Sequence, residues 1–137
     1  EHHEEPATVL KEMVRVLAPG GQIEIRVPHF SDHWFYSDPT HKHMFGLYTF
    51  CYYFLYSKFQ RKVPSYSLIE GAQIQSIYLK FGSTRPFYLR HAFKKVVQLL
   101  VNLNSFTLEL YEEIFSGLFA CSEIRVLIVK SETQNPI

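Results

Sequence analysis

Apolar residues recur every three or four positions from Pro6 to Leu17: Val9, Leu10, Met13, Val16 and Leu17 share one face, and Lys11, Glu12 and Arg15 the other. That is the spacing of an amphipathic helix. Both ends agree with it. Pro6 suits the first turn, where a missing N–H costs nothing, Glu4 and Glu5 sit at the positive end of the helix dipole, and Pro19-Gly20 stops the helix and turns the chain. The period then shortens to two. Ile23, Ile25 and Val27 alternate with Gln22, Glu24 and Arg26, which predicts a strand, and Pro28, with no N–H to donate, closes it.

The same reading carries through the last third. Ile77, Leu79 and Phe81 predict a strand over Ser76 to Phe81, broken by Gly82 to Pro86. Arg90 to Val101 reads as a helix with Phe93, Val96, Val97 and Leu100 on its buried stripe and Lys94, Lys95 and Gln98 outside. Such a basic amphipathic helix can lie on a membrane, but a solvated face is its commoner meaning. Thr107 to Leu118 forms another helix, with Leu108, Tyr111, Phe115 and Leu118 inward and Glu109, Glu112 and Glu113 outward. Glu123 to Lys130 is the final strand; its run Val126-Leu127-Ile128-Val129 predicts burial on both faces. A frayed tail is expected over Gln134 to Ile137.

Two stretches carry a family likeness. Glu1-His2, the first helix, Val16-Leu17-Ala18-Pro19-Gly20-Gly21 and Ile23 to Pro28 resemble the second half of a class I S-adenosylmethionine-dependent methyltransferase of the type 11 kind. Ser37-Asp38-Pro39-Thr40-His41-Lys42, soon followed by Phe45, resembles the stretch that certain small-molecule methyltransferases place after the fifth strand, at the mouth of the substrate pocket. The likeness covers residues 1 to about 56, and the strand near 123 to 130 through element order.

It implies an α/β fold: a partial Rossmann-like methyltransferase sheet of about three strands, the last antiparallel and central, with flanking helices. The strands would then lie in the order first, third, second. It also implies S-adenosylmethionine as cofactor and a small-molecule methyl acceptor as partner. Glu1 and His2 would end the fourth strand of the family beside the cofactor; Asp38, Thr40 and His41 would line the acceptor side, with Phe30, Trp34 and Lys42 completing the substrate-binding set. A plainer reading makes Asp38 and Thr40 a capped turn before a helix from His43 onward.

The first half of the family fold has no counterpart. A cofactor loop needs a strand, a glycine-rich turn and a helix in that order, with an acidic residue about 20 positions later. Gly20-Gly21 follows a helix and precedes a strand, the reverse order. The expectation is therefore the acceptor-side fragment of a methyltransferase, inactive alone. Its first strand would lack its usual neighbour, and such an edge invites a homodimer.

With 137 residues, 47% of them hydrophobic, the chain can bury one core and forms a single partial domain. Its parts are the helix-turn-strand at 1–28, an aromatic and histidine-rich insertion at 29–70, the later strands and helices at 71–132, and the tail at 133–137. A net charge of +1 with scattered lysines and arginines gives no case for nucleic acid. Cys51 and Cys121 show neither a C-x-x-C pattern nor the density of a disulfide scaffold, so both read as buried thiols. No signal peptide opens the chain, and the uncharged run His43 to Ser57 is too short to span a bilayer. A cytoplasmic protein is the default expectation.

The insertion holds the candidate chemistry, since 13 of the 22 aromatic residues and four of the seven histidines fall between His29 and Tyr66. Rings with polar tips and groups that titrate near neutrality suit an organic substrate and proton transfer, although most such rings serve as core. Methyl transfer asks chiefly for alignment, plus a base where the acceptor is a hydroxyl or an amine. His41 is the first candidate base and His29 the second, with Tyr36 as an orienting group. The set His29, Asp32, His33, Asp38, His41 and His43 also has metal-ligand chemistry, but Pro39 interrupts it and no H-E-x-x-H is present, so no metal site is expected. A metal-dependent enzyme built on that set, and a noncatalytic binding module that keeps the half-fold, are the alternatives to the transferase.

Overall fold

The computed structural model describes residues 1–64, 66 and 68–132; the expected tail lies outside them. Helix α1 spans Pro6–Val16, burying Leu10 and Val14, and strand β1 spans Gln22–Pro28. Between them Gly20 takes φ 72°, a left-handed turn that a side chain would strain. Strands β2 (Ala72–Lys80) and β3 (Glu123–Lys130) complete one open sheet. Its order is β1-β3-β2, with β3 antiparallel to both neighbours, which is the order expected. The chain is thus α/β, a three-stranded antiparallel sheet with flanking helices.

The core is one face of this sheet. Register aligns Ile23, Ile128 and Ile74 in one row, Ile25, Val126 and Ile77 in the next, and Val27, Ile124 and Leu79 in a third. Phe45, Leu47, Phe50, Phe54 and Phe59 from the insertion cover these rows together with Leu10 and Val14 of α1. Most of the insertion's aromatic wealth is therefore core. The opposite face is different: Gln73, Ser76 and Tyr78 of β2 and Glu24 and Arg26 of β1 are exposed. Burial of β3 on both faces does not hold, because only Ile124, Val126, Ile128 and Lys130 are buried in its alternating pattern. β2 also begins earlier than expected and carries an irregularity between Ile74 and Ser76.

The two sheet edges are treated differently. Along β2, Leu55 supplies a carbonyl to the Ile74 N–H at 3.1 Å. Farther along, Asn102 of helix α3 (Tyr88–Val101) and its C-terminal cap brackets Leu79: its Oδ1 accepts from the Leu79 N–H at 2.9 Å and its Nδ2 donates to the Leu79 carbonyl at 2.7 Å. Gln98 Oε1 accepts from the Phe81 N–H at 2.9 Å. This explains why α3 lies the other way round from its hydrophobic pattern. Lys94, Gln98 and Asn102 recur at intervals of four, one helical stripe, and that stripe faces the sheet edge. Lys94 is consequently 5% exposed, while Phe93 is 51%, Val96 55% and Leu100 58% exposed. Polar satisfaction of a strand edge outweighs the apolar stripe.

The edge of β1 is open. Gly21 and His29 bond β3 and its lead-in, at Lys130 and Ser122, so odd-numbered residues of β1 face β3 and the N–H and C=O groups of Gln22, Glu24 and Arg26 face outward. Beside this edge an apolar cleft of about 210 Å³ opens between α1 and the sheet, walled by Val9, Met13, Ile25 and Phe45.

Two short helical elements depart from expectation. Asp32 caps α2 (His33–Ser37), accepting from the Trp34 N–H. The helix expected from His43 onward is absent; only a 3-10 turn forms, at Thr49–Tyr52. Its backbone groups are spent elsewhere: the Phe45 carbonyl accepts from the Phe30 N–H at 2.9 Å and the Leu47 N–H donates to Glu112 at 2.8 Å. The Thr107–Leu118 helix is divided into α4 (Ser105–Leu110) and a π-helical turn at Tyr111–Phe115. Leu108 and Tyr111 point inward as expected, but Leu118 and Phe115 are exposed and Glu109 is buried. Glu109 is drawn inward because the insertion offers it donors, the N–H groups of Gln60 and Arg61, each at 3.0 Å, and the Tyr48 hydroxyl at 3.3 Å. Among the described residues no helix is long and apolar enough to cross a membrane.

Candidate functional site

The candidate residues divide into four groups. The first is built on an aspartate turn. Asp38 Oδ1 accepts from the Thr40 N–H at 2.9 Å and the Thr40 hydroxyl at 2.6 Å, and the Thr40 hydroxyl, ahead of its N–H, holds the Asp38 carboxyl below its usual range. Having donated to Asp38, Thr40 Oγ1 can only accept from His2 Nδ1, 3.0 Å away, and the Thr40 carbonyl accepts from the same nitrogen at 3.2 Å. His2 therefore carries its proton on Nδ1. His41 Nδ1 lies 3.0 Å from the Phe35 carbonyl, which can only accept, so His41 has the same tautomer. Both Nε2 lone pairs remain open.

The two imidazoles meet, with ring centroids 4.8 Å apart. His41 is stacked on Phe35 of α2 at 5.1 Å, and its Nε2 lies 3.6 Å from Asp38 Oδ2. Glu1 Oε1 is 3.5 Å from His2 Nε2. Donor atoms of Glu1, His2 and His41 all lie within 4.8 Å of one another, so two imidazoles and a carboxylate, each ring oriented by a hydrogen bond at its far nitrogen, converge as they do around first-row divalent ions. The backbone joins the same two segments: Lys42 N–H donates to the Glu1 carbonyl at 2.8 Å, Lys42 Nζ to Glu4 at 3.0 Å, and His43 Nε2 lies 3.0 Å from the Glu4 carbonyl.

The second group is buried. His29 is 0% exposed. Its Nδ1 accepts from the Ser31 N–H at 3.1 Å, so the proton sits on Nε2, which donates to Glu112 Oε2 at 2.8 Å. Ser31 Oγ accepts from the Cys121 N–H at 2.9 Å, and the Tyr111 hydroxyl donates to the Phe119 carbonyl. With both nitrogens engaged and no path to solvent, His29 holds the fold together. Its candidacy as a base is withdrawn. Phe30 is half-buried, its ring 4.5 Å from that of His29.

The third group is scattered. Tyr36 is exposed, its hydroxyl 4.0 Å from Met44 Sδ, and it orients nothing at His41. The His29–His43 set weighed as an alternative does not assemble: His29 pairs with Glu112, His33 with Asp32, His43 with the Glu4 backbone, and only Asp38 and His41 stay together. Neither thiol is a nucleophile; burial pushes Cys51 up to about 11 and Cys121 higher still.

The fourth group joins an expected residue to ones not singled out as a site in the sequence. Trp34, from the substrate-binding set, lines a cleft of about 340 Å³ with Lys80, Ser83, Arg90, Lys94 and Lys95. A signal existed: no Asp or Glu occurs between Glu70 and Glu109, while five lysines and arginines do.

S-adenosylmethionine does not fit the residues described. Among the described residues no glycine-rich turn joins a strand to a helix, since β2 and α3 are linked through Gly82 alone, and the Gly20-Gly21 turn is filled by its own chain, a Cβ on Gly21 meeting the Ala18 carbonyl at 2.8 Å. Only Glu1 and His2 stand where the resemblance puts cofactor contacts. No family model, curated protein or solved structure matches the chain.

Proposed function

We propose that this chain is the acceptor side of an S-adenosylmethionine-dependent methyltransferase with a Rossmann-like sheet, the cofactor being held mainly by residues outside it. One observation carries the reading. Glu1-His2, assigned to the cofactor side by resemblance, and Asp38-Thr40-His41-Lys42, assigned to the acceptor side, lie 38 and more positions apart and are joined through Thr40 to His2 and Lys42 to Glu1. The strand order β1-β3-β2 supports it.

In this reading His41 takes the acceptor's proton on Nε2. The Phe35 carbonyl fixes its tautomer, and the Asp38 carboxylate beside it stabilises the imidazolium that forms. Thr40 sets both carboxylate and His2 in place. Reading the gene upstream of the Glu1 codon, followed by assay of the encoded protein with labelled cofactor, tests this. An apolar strand with a glycine-rich turn is expected there, and His41→Asn should lower kcat about 100-fold or more with little change in KM, the contribution of a positioned base. A start codon at that point, or full activity in His41→Asn, would overturn the reading or the role.

The open edge of β1 supports pairing of two copies. An antiparallel register centred on Ile25 sets Glu24 against the partner's Arg26 and Ile23 against its Val27. Sedimentation at high concentration should show a dimer of the 16.1 kDa chain; a species of that mass alone would end the proposal.

A further inference from the structure

The cleft beside Trp34 sits where the C-terminal end of β2 meets the start of β3; Asp32, His33 and Trp34 line it, whereas His41 stacks on the next residue of α2, Phe35. Four cations line it, Lys80, Arg90, Lys94 and Lys95, against one carboxylate, Asp32. One oxygen of Asp32 is committed to capping α2, accepting from Trp34 N–H at 3.2 Å. Among the described residues, none of the four cations joins an ion pair.

Two polar side chains in this cleft lack hydrogen-bond partners among the described residues, and of the two it is the Ser83 hydroxyl whose polar atom is itself buried. Lys94 is 95% buried by its 5% exposure and makes no hydrogen bond among the described residues. Ser83 Oγ is the buried side-chain oxygen left unpaired among them. Burial, followed by the neighbouring Arg90, pulls the Lys94 ammonium below its usual range, with Asp32 acting in the opposite sense. Lys95 is pulled the same way, by burial and then by Lys80, and donates to Gln98 Oε1 at 3.3 Å. These cations repel one another, and among the described residues the single carboxylate lining the cleft leaves them in excess. An oxyanion would meet an ammonium, a guanidinium and a hydroxyl at once, with the exposed rings of Trp34 and Phe87 as walls.

We propose that this cleft binds the phosphate or carboxylate group of a small molecule, anchored by Lys94, Ser83 and Arg90. That the molecule is the methyl acceptor rests on the function proposed above; the anion site itself does not. It would anchor one end of the acceptor beside the same short helix on which His41 stacks.

Inorganic phosphate and succinate are the soluble probes, titrated into labelled protein and followed by amide resonances and by thermal melting. Saturable shifts at Ser83, Arg90 and Lys94 are expected, together with a raised Tm. Lys94→Met should fold, since it removes a buried charge, and should bind at least about tenfold more weakly, the loss of one charge-assisted hydrogen bond. Lys58→Met, on the exposed insertion, should bind normally. Absence of saturable binding by either probe would overturn the proposal, as would equal binding by Lys94→Met and the parent chain. Phosphatidylcholine vesicles with and without phosphatidylserine separate the sources: retention on the anionic vesicles alone, lost in Lys94→Met, supports the site with a lipid headgroup as its ligand. Anion binding in a protein that transfers no methyl group leaves the site standing and removes the transferase; transfer without anion binding does the reverse.

Discussion

Glu112→Ala should lower the stability of this chain by about 3–6 kcal/mol, roughly 1.5–3 for each of two buried hydrogen bonds to a charged acceptor. Glu112 uses both oxygens. One accepts from the Leu47 N–H and the other from His29 Nε2, each at 2.8 Å, and a Cβ on Gly46 would lie 2.7 Å from the first, so no other group has room to replace it. Truncation therefore leaves a backbone N–H and a fully buried imidazole proton without acceptors. Glu112→Gln separates charge from geometry. Its carbonyl can still serve Leu47, but its NH₂ would face the His29 Nε2–H, donor against donor; moving the proton to Nδ1 would let it meet Ser31 Oγ at 2.7 Å but would set it against the Ser31 N–H. The glutamine should cost about 1–3 kcal/mol, as for one orphaned buried donor. Urea unfolding followed by circular dichroism measures both. A loss under about 1 kcal/mol for the alanine, the scale of an exposed pair, would mean that water reaches His29.

That network also shows what the sequence could and could not disclose. α1, β1 and β3 were legible as elements because each carries apolar residues at the period of its own backbone; which residues are buried differs in detail, since Val14 takes the inward place of Val16 in α1 and β3 buries one face. The order of the strands was legible only through resemblance. Several of the wrong assignments share one cause: a polar side chain satisfies a backbone group far away in sequence. Glu109 and Glu112 read as a solvated face, yet they receive N–H groups from Gln60, Arg61 and Leu47. Lys94 and Gln98 read as the outside of α3 for the same reason. At the site, the turn Asp38-Thr40 was legible from residue type, whereas its meeting with His2, 38 positions away, and the burial of His29, whose partner Glu112 lies 83 positions away, were not. The histidine cluster failed as a unit because each ring is held by a different element.

Asn102→Leu should destabilise the chain by about 2–4 kcal/mol, one to two for each backbone group orphaned. Leu79 is wholly buried, and Asn102 is the acceptor for its N–H and a donor to its carbonyl. Leucine matches the size of asparagine and adds apolar burial, which favours the substitution; the strand edge opposes it, with a smaller part from the Gln98 carbonyl, which also accepts from Asn102 Nδ2 at 2.8 Å. The sign of the change therefore decides which force orients α3. If the edge governs, Asn102→Leu loses stability and Gln98→Leu, which strips the acceptor from Phe81 N–H, loses less. The double variant should lose roughly the sum, since the two side chains serve different residues of the strand. It should also self-associate, because the outer edge of β2 is then as open as that of β1. If the apolar stripe governs instead, the substitution is neutral or stabilising, and α3 rolls to bury Phe93, Val96 and Leu100 and release Lys94 to solvent. Amide exchange at Leu79 and Phe81 reads the difference directly: their protection should fall while that of Ile124 and Val126 in the central strand persists.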